Sequence, residues 1–381
     1  MVKIPRALAA IPLLFCFALL AAACVGTENP SGWVAPVFDG QTVYFAEAHD
    51  HLAAAPAPGT DNQTTISWVF PAKNDPAQKG ISLKGIYGRP VVDGANVYLS
   101  SYSGGVFALT KKDGHVVWQM KSEISGNVSG GVAVSSKLLA FGTTDGHLYV
   151  VNKSDHTTAN NWPTSGLTVD GGIWAAPIFS ADGQTLYVAT MSGNLKAYNV
   201  ADHSEAWTFH ASGAIADMAL LDSTHLFVPS LNHHAYVLDP TQQGKVTTDF
   251  AARDWIWTTP AYKDGIAYFG DFSGYVYALD LSGPAGHLKW ESKVSTKGSR
   301  IFSAPALVGG LLVVADREPA VHFVDPATGQ VKNTVPLLTS TVRADVTAEG
   351  NYAYVSTTNG HLFRADPSQL KVAEVTVGGR P

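Results

Sequence analysis

The chain is poor in cysteine, in charge and in basic clusters, and each shortage removes a class of function. Only two of its 381 residues are cysteine, Cys16 and Cys24. Both lie in or at the edge of an N-terminal apolar run, so the body of the protein has no thiol for a disulfide, a thiolate-bound zinc, a covalently attached c-type haem or a cysteine nucleophile. Charged residues make up 15% of the chain, against roughly 25% in an average domain. The 25 Lys and Arg are outnumbered by 31 Asp and Glu, for a net charge of −6. Without a basic stretch there is no general attraction for a phosphate backbone, and nucleic acid is excluded as a partner. His-Glu-x-x-His, Gly-x-Ser-x-Gly and Gly-x-x-x-x-Gly-Lys-Ser/Thr are also missing, which leaves zinc hydrolysis, a nucleophile elbow and a phosphate loop without support.

What is present is apolar and heavily punctuated. The chain is 46% hydrophobic and 10% aromatic, with 36 Gly and 21 Pro. Such a composition buries a large core and excludes a disordered chain.

Lys3 and Arg6 precede an uncharged run, Ala7 to Ala23, that ends in small residues at Cys24. This is the layout of a secretory signal, which does not belong to the fold. Ala21-Ala22-Ala23-Cys24 resembles the bacterial lipobox, whose cysteine is acylated, although Ala21 stands where the usual motif has Leu. The resemblance implies a signal peptide at residues 1–23, lipid attachment at Cys24, a linker over 24–32 and a folded unit over 33–381. Removing Lys3 and Arg6 with the signal moves the net charge to −8. The chain is thereby expected in the cell envelope, bound to the membrane through its lipid. Val25, rather than Asp, follows the cysteine, and the resemblance to lipoproteins of organisms with two membranes then implies the periplasmic side of the outer membrane. In an organism with one, the outer face of the plasma membrane is expected.

The folded unit is a repeat. An apolar strand begins near a proline, a short turn leads to a β-branched and aromatic strand, and a small polar turn leads to a third. Ser103-Gly104-Gly105-Val106-Phe107-Ala108, Asp145-Gly146-His147-Leu148-Tyr149-Val150, Ser192-Gly193-Asn194-Leu195-Lys196-Ala197 and Ser273-Gly274-Tyr275-Val276-Tyr277-Ala278 are copies of that third strand. One column of the alignment reads Pro36, Pro90, Gly131, Pro177, Met218, Pro260, Pro305, Asp345. A second, at the turn, reads Asp50, Gly104, Gly146, Gly193, His233, Gly274, Pro319, Gly360. The two columns stay 14 to 16 residues apart, and the turn column advances by about 44 residues per copy, the length of one four-stranded propeller blade. The expected fold is all-β, an eight-bladed propeller of four-stranded repeats.

Eight of the nine tryptophans occupy two repeat positions. Trp68, Trp118, Trp162, Trp207 and Trp290 are expected at the start of the fourth strand. Trp33, Trp174 and Trp257 stand three places before the proline column, where Tyr87 and Phe302 also fall. Both positions read as packing between twisted, diverging blades. Trp255 alone has no repeat position.

With Asp325-Pro326-Ala327-Thr328-Gly329-Gln330 as its clearest Asp-x-x-Thr-Gly copy, the repeat resembles the pyrroloquinoline-quinone (PQQ)-type propeller repeat over residues 33 to 375. Eight such repeats behind a lipobox are similar to the BamB-type lipoproteins of the outer-membrane β-barrel assembly machinery. The repeat specifies a fold shared by enzymes, scaffolds and sensors, so function has to come from the site. Quinone-dependent dehydrogenases of this type imply a longer chain, a calcium ion held by acidic and amide side chains, and commonly a vicinal disulfide. This chain has no disulfide and no spare length, so no catalytic residue, cofactor or metal is assigned.

His49-Asp50-His51 and His233-His234 lie at the turn column of opposite blades and read as solvated turn residues. Arg89, Asp217, Arg343 and Asp345, beside the proline column, are expected to line one mouth of the central channel, where a small ligand or peptide could touch them. In the BamB family the partner surface includes Leu and Arg before one proline and Asp-x-Asp before another. The matching stretches here carry Trp174 and the run Asp254, Trp255, Trp257. These four are the candidate partner-binding residues. The expected function is a non-catalytic scaffold that presents a propeller face to protein partners, with an extracytoplasmic ligand sensor as the alternative and a quinoprotein dehydrogenase behind it.

Overall fold

The computed structural model describes residues 32–379 apart from 48–50, 104, 296–297 and 339–340. Cys24 and the signal peptide, with His49 and Asp50, lie outside the described residues. Eight four-stranded antiparallel sheets follow one another along the chain, each with its strands in chain order. Blade 2 shows the pattern: Val91–Asp93 innermost, then Asn96–Ser101, Gly105–Thr110 and, outermost, Val116–Met120. Pro36, Pro90, Pro177, Pro260 and Pro305 each stand one residue before an innermost strand. There the missing N–H removes no ladder bond.

The repeat motif sets the outer half of each blade. The alanine of the third strand lies directly across from the tryptophan of the fourth in four blades, as Ala54 and Trp68, Ala108 and Trp118, Ala197 and Trp207, and Ala278 and Trp290. The small residue leaves room for the indole, which leans onto a tyrosine of the second strand. Tyr44–Trp68, Tyr98–Trp118, Tyr187–Trp207 and Tyr268–Trp290 have ring centroids 5.9, 6.0, 5.8 and 5.9 Å apart.

Each indole then reaches the following blade, as the repeat position predicts. Nε1 donates to the carbonyl of Lys111 from Trp68, of Lys153 from Trp118, of Val200 from Trp162 and of Pro326 from Trp290, at 2.9 to 3.2 Å. Trp162 departs from expectation: it precedes its short outer strand, Leu167–Thr168, instead of opening it. The connection in blade 3 is long enough for the ring to reach Val200 from a loop.

Buried apolar clusters fill the gaps between blades. Tyr44, Leu52 and Phe70 meet Val97, Leu99 and Phe107 between blades 1 and 2, and Val313, Val321 and Phe323 meet Ala353, Val355 and Phe363 between blades 7 and 8. The closing junction, between blades 8 and 1, is divided into two smaller clusters, one around Tyr354, Leu362 and Val375 and one around Val43, Phe45 and Ala53. A parallel clasp reinforces it. Thr376–Gly378, after the last blade, pairs with Gln63–Thr65, inserted between the outer strands of blade 1. Asn62 Nδ2 and Arg364 add bonds to Glu374 O and Gly59 O, and Ser356 Oγ reaches Val34 O at 2.6 Å. Ser100 Oγ makes the same reach from blade 2 to Gly130 O at 2.7 Å.

Candidate protein-contact face at the channel mouth

The segments that lead into the innermost strands converge on one face with the turns between second and third strands. One backbone bond ties the two together in seven blades. The N–H two places before the turn column donates to the lead-in segment, from Tyr102, Thr144, Met191, Leu231, Phe272, Arg317 and Thr358 to the carbonyls of Gly85, Asn127, Gly172, Ala214, Trp255, Arg300 and Thr341, all at 2.8 to 3.0 Å. Trp255 therefore does have a repeat position. Its side chain is what departs, because most other blades place Gly, Ala, Asn or Thr there.

Trp255 and Trp257, two apart in an extended segment, both lie on Phe272, with ring centroids 5.9 and 6.1 Å away, as the two-residue spacing predicts. Trp257 also meets Phe302 at 5.8 Å and Trp174 at 6.4 Å. Trp174 and Trp257 lead into blades 4 and 6, so this second tryptophan position does more than pack neighbouring blades. Its rings reach over the lead-in of blade 5, where the small Ala216, next to buried Ile215, takes their place, and they stay half-buried at the surface. Asp254 is half-buried beside them and accepts from Trp255 N at 2.8 Å.

The expected channel-mouth residues separate into three. The Arg343 guanidinium lies 4.9 Å from the Trp33 ring and 5.6 Å from Phe302, a cation–π bridge between blades. Asp217 and Asp345 interact with each other. Asp345 Oδ1 accepts from Thr258 Oγ1 at 3.1 Å and Ala304 N at 2.7 Å, and so ties three lead-in segments together. Asp217 accepts from Met218 N at 2.9 Å. Burial, with the charge of Asp345 second, pushes the Asp217 carboxyl up to about 8, so Asp217 keeps its proton at neutral pH. Arg89 is exposed and joined to none of the others.

The histidines serve turns and edges. His233 sits in its turn with φ +73°, but His234 opens the third strand and pairs with Asp249 on the outer strand at 2.5 Å. Buried His322 bridges Asp316 and Thr334 at 3.1 and 3.0 Å. Tyr277 fills the same position in blade 6 and donates to Asp271 at 2.7 Å, so the His–Asp pair is a turn clamp of the repeat. Among the described residues no three His, Cys, Asp or Glu side chains gather as metal ligands.

The fold and this face define an eight-bladed propeller of PQQ-like repeats with an aromatic, arginine-flanked mouth. The sequence profile of the family described as outer membrane protein assembly factor BamB matches residues 28–159, 103–247 and 272–373, and the chain belongs to that family. The outer membrane protein assembly factor BamB of Yersinia pestis is 23% identical over 351 residues, covering 75% of this chain and 85% of that protein. Its counterpart in Xanthomonas campestris pv. campestris is 23% identical, covering 79% and 77%. Among solved structures, BamB from Moraxella catarrhalis superposes with a TM-score of 0.66 at 15% identity, over 87% of this chain and 93% of that one. The computationally designed Ika8 protein superposes with a TM-score of 0.65 at 14% identity, over 88% and 96%. At these identities the structural matches speak for the fold.

Proposed function

We propose that this chain is a non-catalytic scaffold of the cell envelope that acts in the assembly of outer-membrane β-barrel proteins, held at the membrane by a lipid on Cys24. Trp174, Trp255, Trp257 and Asp254 contact its protein partner. Family membership across nearly all of the propeller supports the reading, together with a half-buried aromatic cluster at the surface, of the kind that anchors interfaces. The test is deletion of the gene in its own host, followed by quantification of β-barrel proteins in the outer membrane. The expected result is a fall in their level that wild type restores and Trp255→Ala/Trp257→Ala does not. Unchanged levels on deletion would remove the assembly role. Binding of a small ligand at the mouth is the second reading, carried by the Asp217–Asp345 pair.

A further inference from the structure

Among the seven blades in which this bond is described, blades 6 and 7 depart from the rest at the lead-in position, and blade 7 also at the turn bonded to it. In the lead-in position Gly85, Asn127, Gly172, Ala214 and Thr341 are replaced by Trp255 and Arg300, and in the turn position bonded to it these blades carry Phe272 and Arg317. The side chains of Trp255, Phe272 and Arg300 form one patch, and Arg317 adjoins it through its backbone. Trp255 lies on Phe272, and the exposed Arg300 guanidinium stacks over the same ring at 5.5 Å. Arg317 N donates to Arg300 O at 2.9 Å. Leu337 N donates to Pro319 O at 2.6 Å and brings Leu338 beside the Arg317 turn, where Leu338 is 99% exposed.

Neither Arg300 nor Arg317 forms an ion pair with a carboxylate among the described residues, in a chain whose net charge is −6. Elsewhere on the surface Arg253 has Glu291, Lys196 has Glu205 and Lys332 has Asp325. A guanidinium presents a planar fork that suits a carboxylate. Stacking on Phe272 pre-orders Arg300, and Leu338 and Trp255 offer apolar contact to either side.

We propose that this patch docks a polypeptide segment of the partner that carries a carboxylate flanked by apolar side chains. The inference rests on the scaffold reading and names the chemistry of the partner at the Trp255 end of that face. Asp254 and Glu318 are the chain neighbours of Trp255 and Arg317. They leave room for one or two carboxylates held on the arginines and repel a continuous anionic surface, which favours a protein segment over lipid phosphate.

The test places a photo-activated benzophenone amino acid at Leu338 of the full-length protein in its own cells, with the same probe at Val117, 47% exposed on the outer strand of blade 2, as the control. The expected result is an adduct to an envelope protein at 338 and none at 117. Its yield falls at least tenfold in Arg300→Glu/Arg317→Glu and in Arg317→Glu alone, both with an unchanged melting temperature. Sequencing of the adduct is expected to find Asp or Glu among apolar residues, and reversal of that acid to Lys restores the yield in the double variant. No adduct at 338, an adduct indifferent to the arginine reversals, or an adduct to lipopolysaccharide would overturn the proposal. Adducts at Trp174 but not at 338 would sink this patch alone, whereas unchanged β-barrel levels on gene deletion would sink the scaffold reading whatever the adduct shows.

Discussion

Trp290 of blade 6 donates its indole N–H to the carbonyl of Pro326 in blade 7 at 2.9 Å and lies against Gly329 of the same turn. Gly329 has φ +74°, and a Cβ added there would sit 2.6 Å from the indole. Gly329→Ala therefore meets a left-handed backbone and an occupied space together. We expect it to lower stability by about 2–4 kcal/mol, read as a fall in the urea midpoint with an unchanged slope. Gly350, also left-handed but with open space around its Cβ position, is the control, and its alanine variant should lose about 1 kcal/mol.

Asp217 makes stability depend on pH with a definite sign. Its folded pKa is about 8, against about 3.9 in the unfolded chain. Between those values the folded state keeps a proton that the unfolded state has released, so stability falls as pH rises through this window and levels off above it. Asp217→Asn removes that dependence. Because the side chain is only partly covered, we expect the variant to exceed wild type by about 2–4 kcal/mol at pH 9, less than the full shift would give, and to gain little at pH 4. Equal urea midpoints for the two proteins at pH 9 would show that the proton is held elsewhere.

The two kinds of tryptophan respond differently to truncation. Trp207→Ala opens the contact with Gly244 of blade 5 and should cost about 3–5 kcal/mol. Trp255→Ala gives up a ring contact at a half-exposed site and should cost about 1 kcal/mol while weakening partner capture at least tenfold. Paired thermal melts and pull-downs measure both quantities, and a large melting loss for Trp255→Ala with capture intact would make it a packing residue.

Lipidation is read by labelling. Wild type should incorporate palmitate and partition into detergent, and Cys24→Ser should do neither. Label retained in the serine variant would place the lipid on another residue.

Removal of residues 376–381 takes away the clasp strand and leaves the last blade whole. Stability is expected to fall by about 2–4 kcal/mol, with cleavage by a non-specific protease concentrated in the freed segment at 57–62. An unchanged urea midpoint would mean that side-chain packing alone holds the junction.

The blades were legible in the sequence because their constraints recur in step with a period of about 44 residues: an alanine opposite a tryptophan in four blades, and a glycine with positive φ at the turn of four. The clasp was not legible. Gln63–Thr65 and Thr376–Gly378 are three-residue strands that belong to no repeat, and their pairing depends on the circle closing. The contact face was half legible. The sequence singles out Trp255 as surplus, but its equivalence to Arg300 and its pairing with Phe272 come from a backbone bond made between loops. Reading the repeat two places before the turn column, where Arg317 stands beside Tyr102, Met191, Leu231, Phe272 and two threonines, would have pointed to blade 7.

Each blade is wound from one unbroken stretch of chain, and among the described strands the clasp is the pairing that ties the last blade to the first. The position of the seam is thus a matter of where the polypeptide is numbered from, separate from how the wheel holds its shape. A circular permutant that joins Gly379 to Gly32 through a flexible linker and opens at Gly183, a turn position with free space around it, would keep all eight blades and relocate the seam to the middle of blade 4. Its contact face would keep its order around the axis, because that order belongs to the circle of blades.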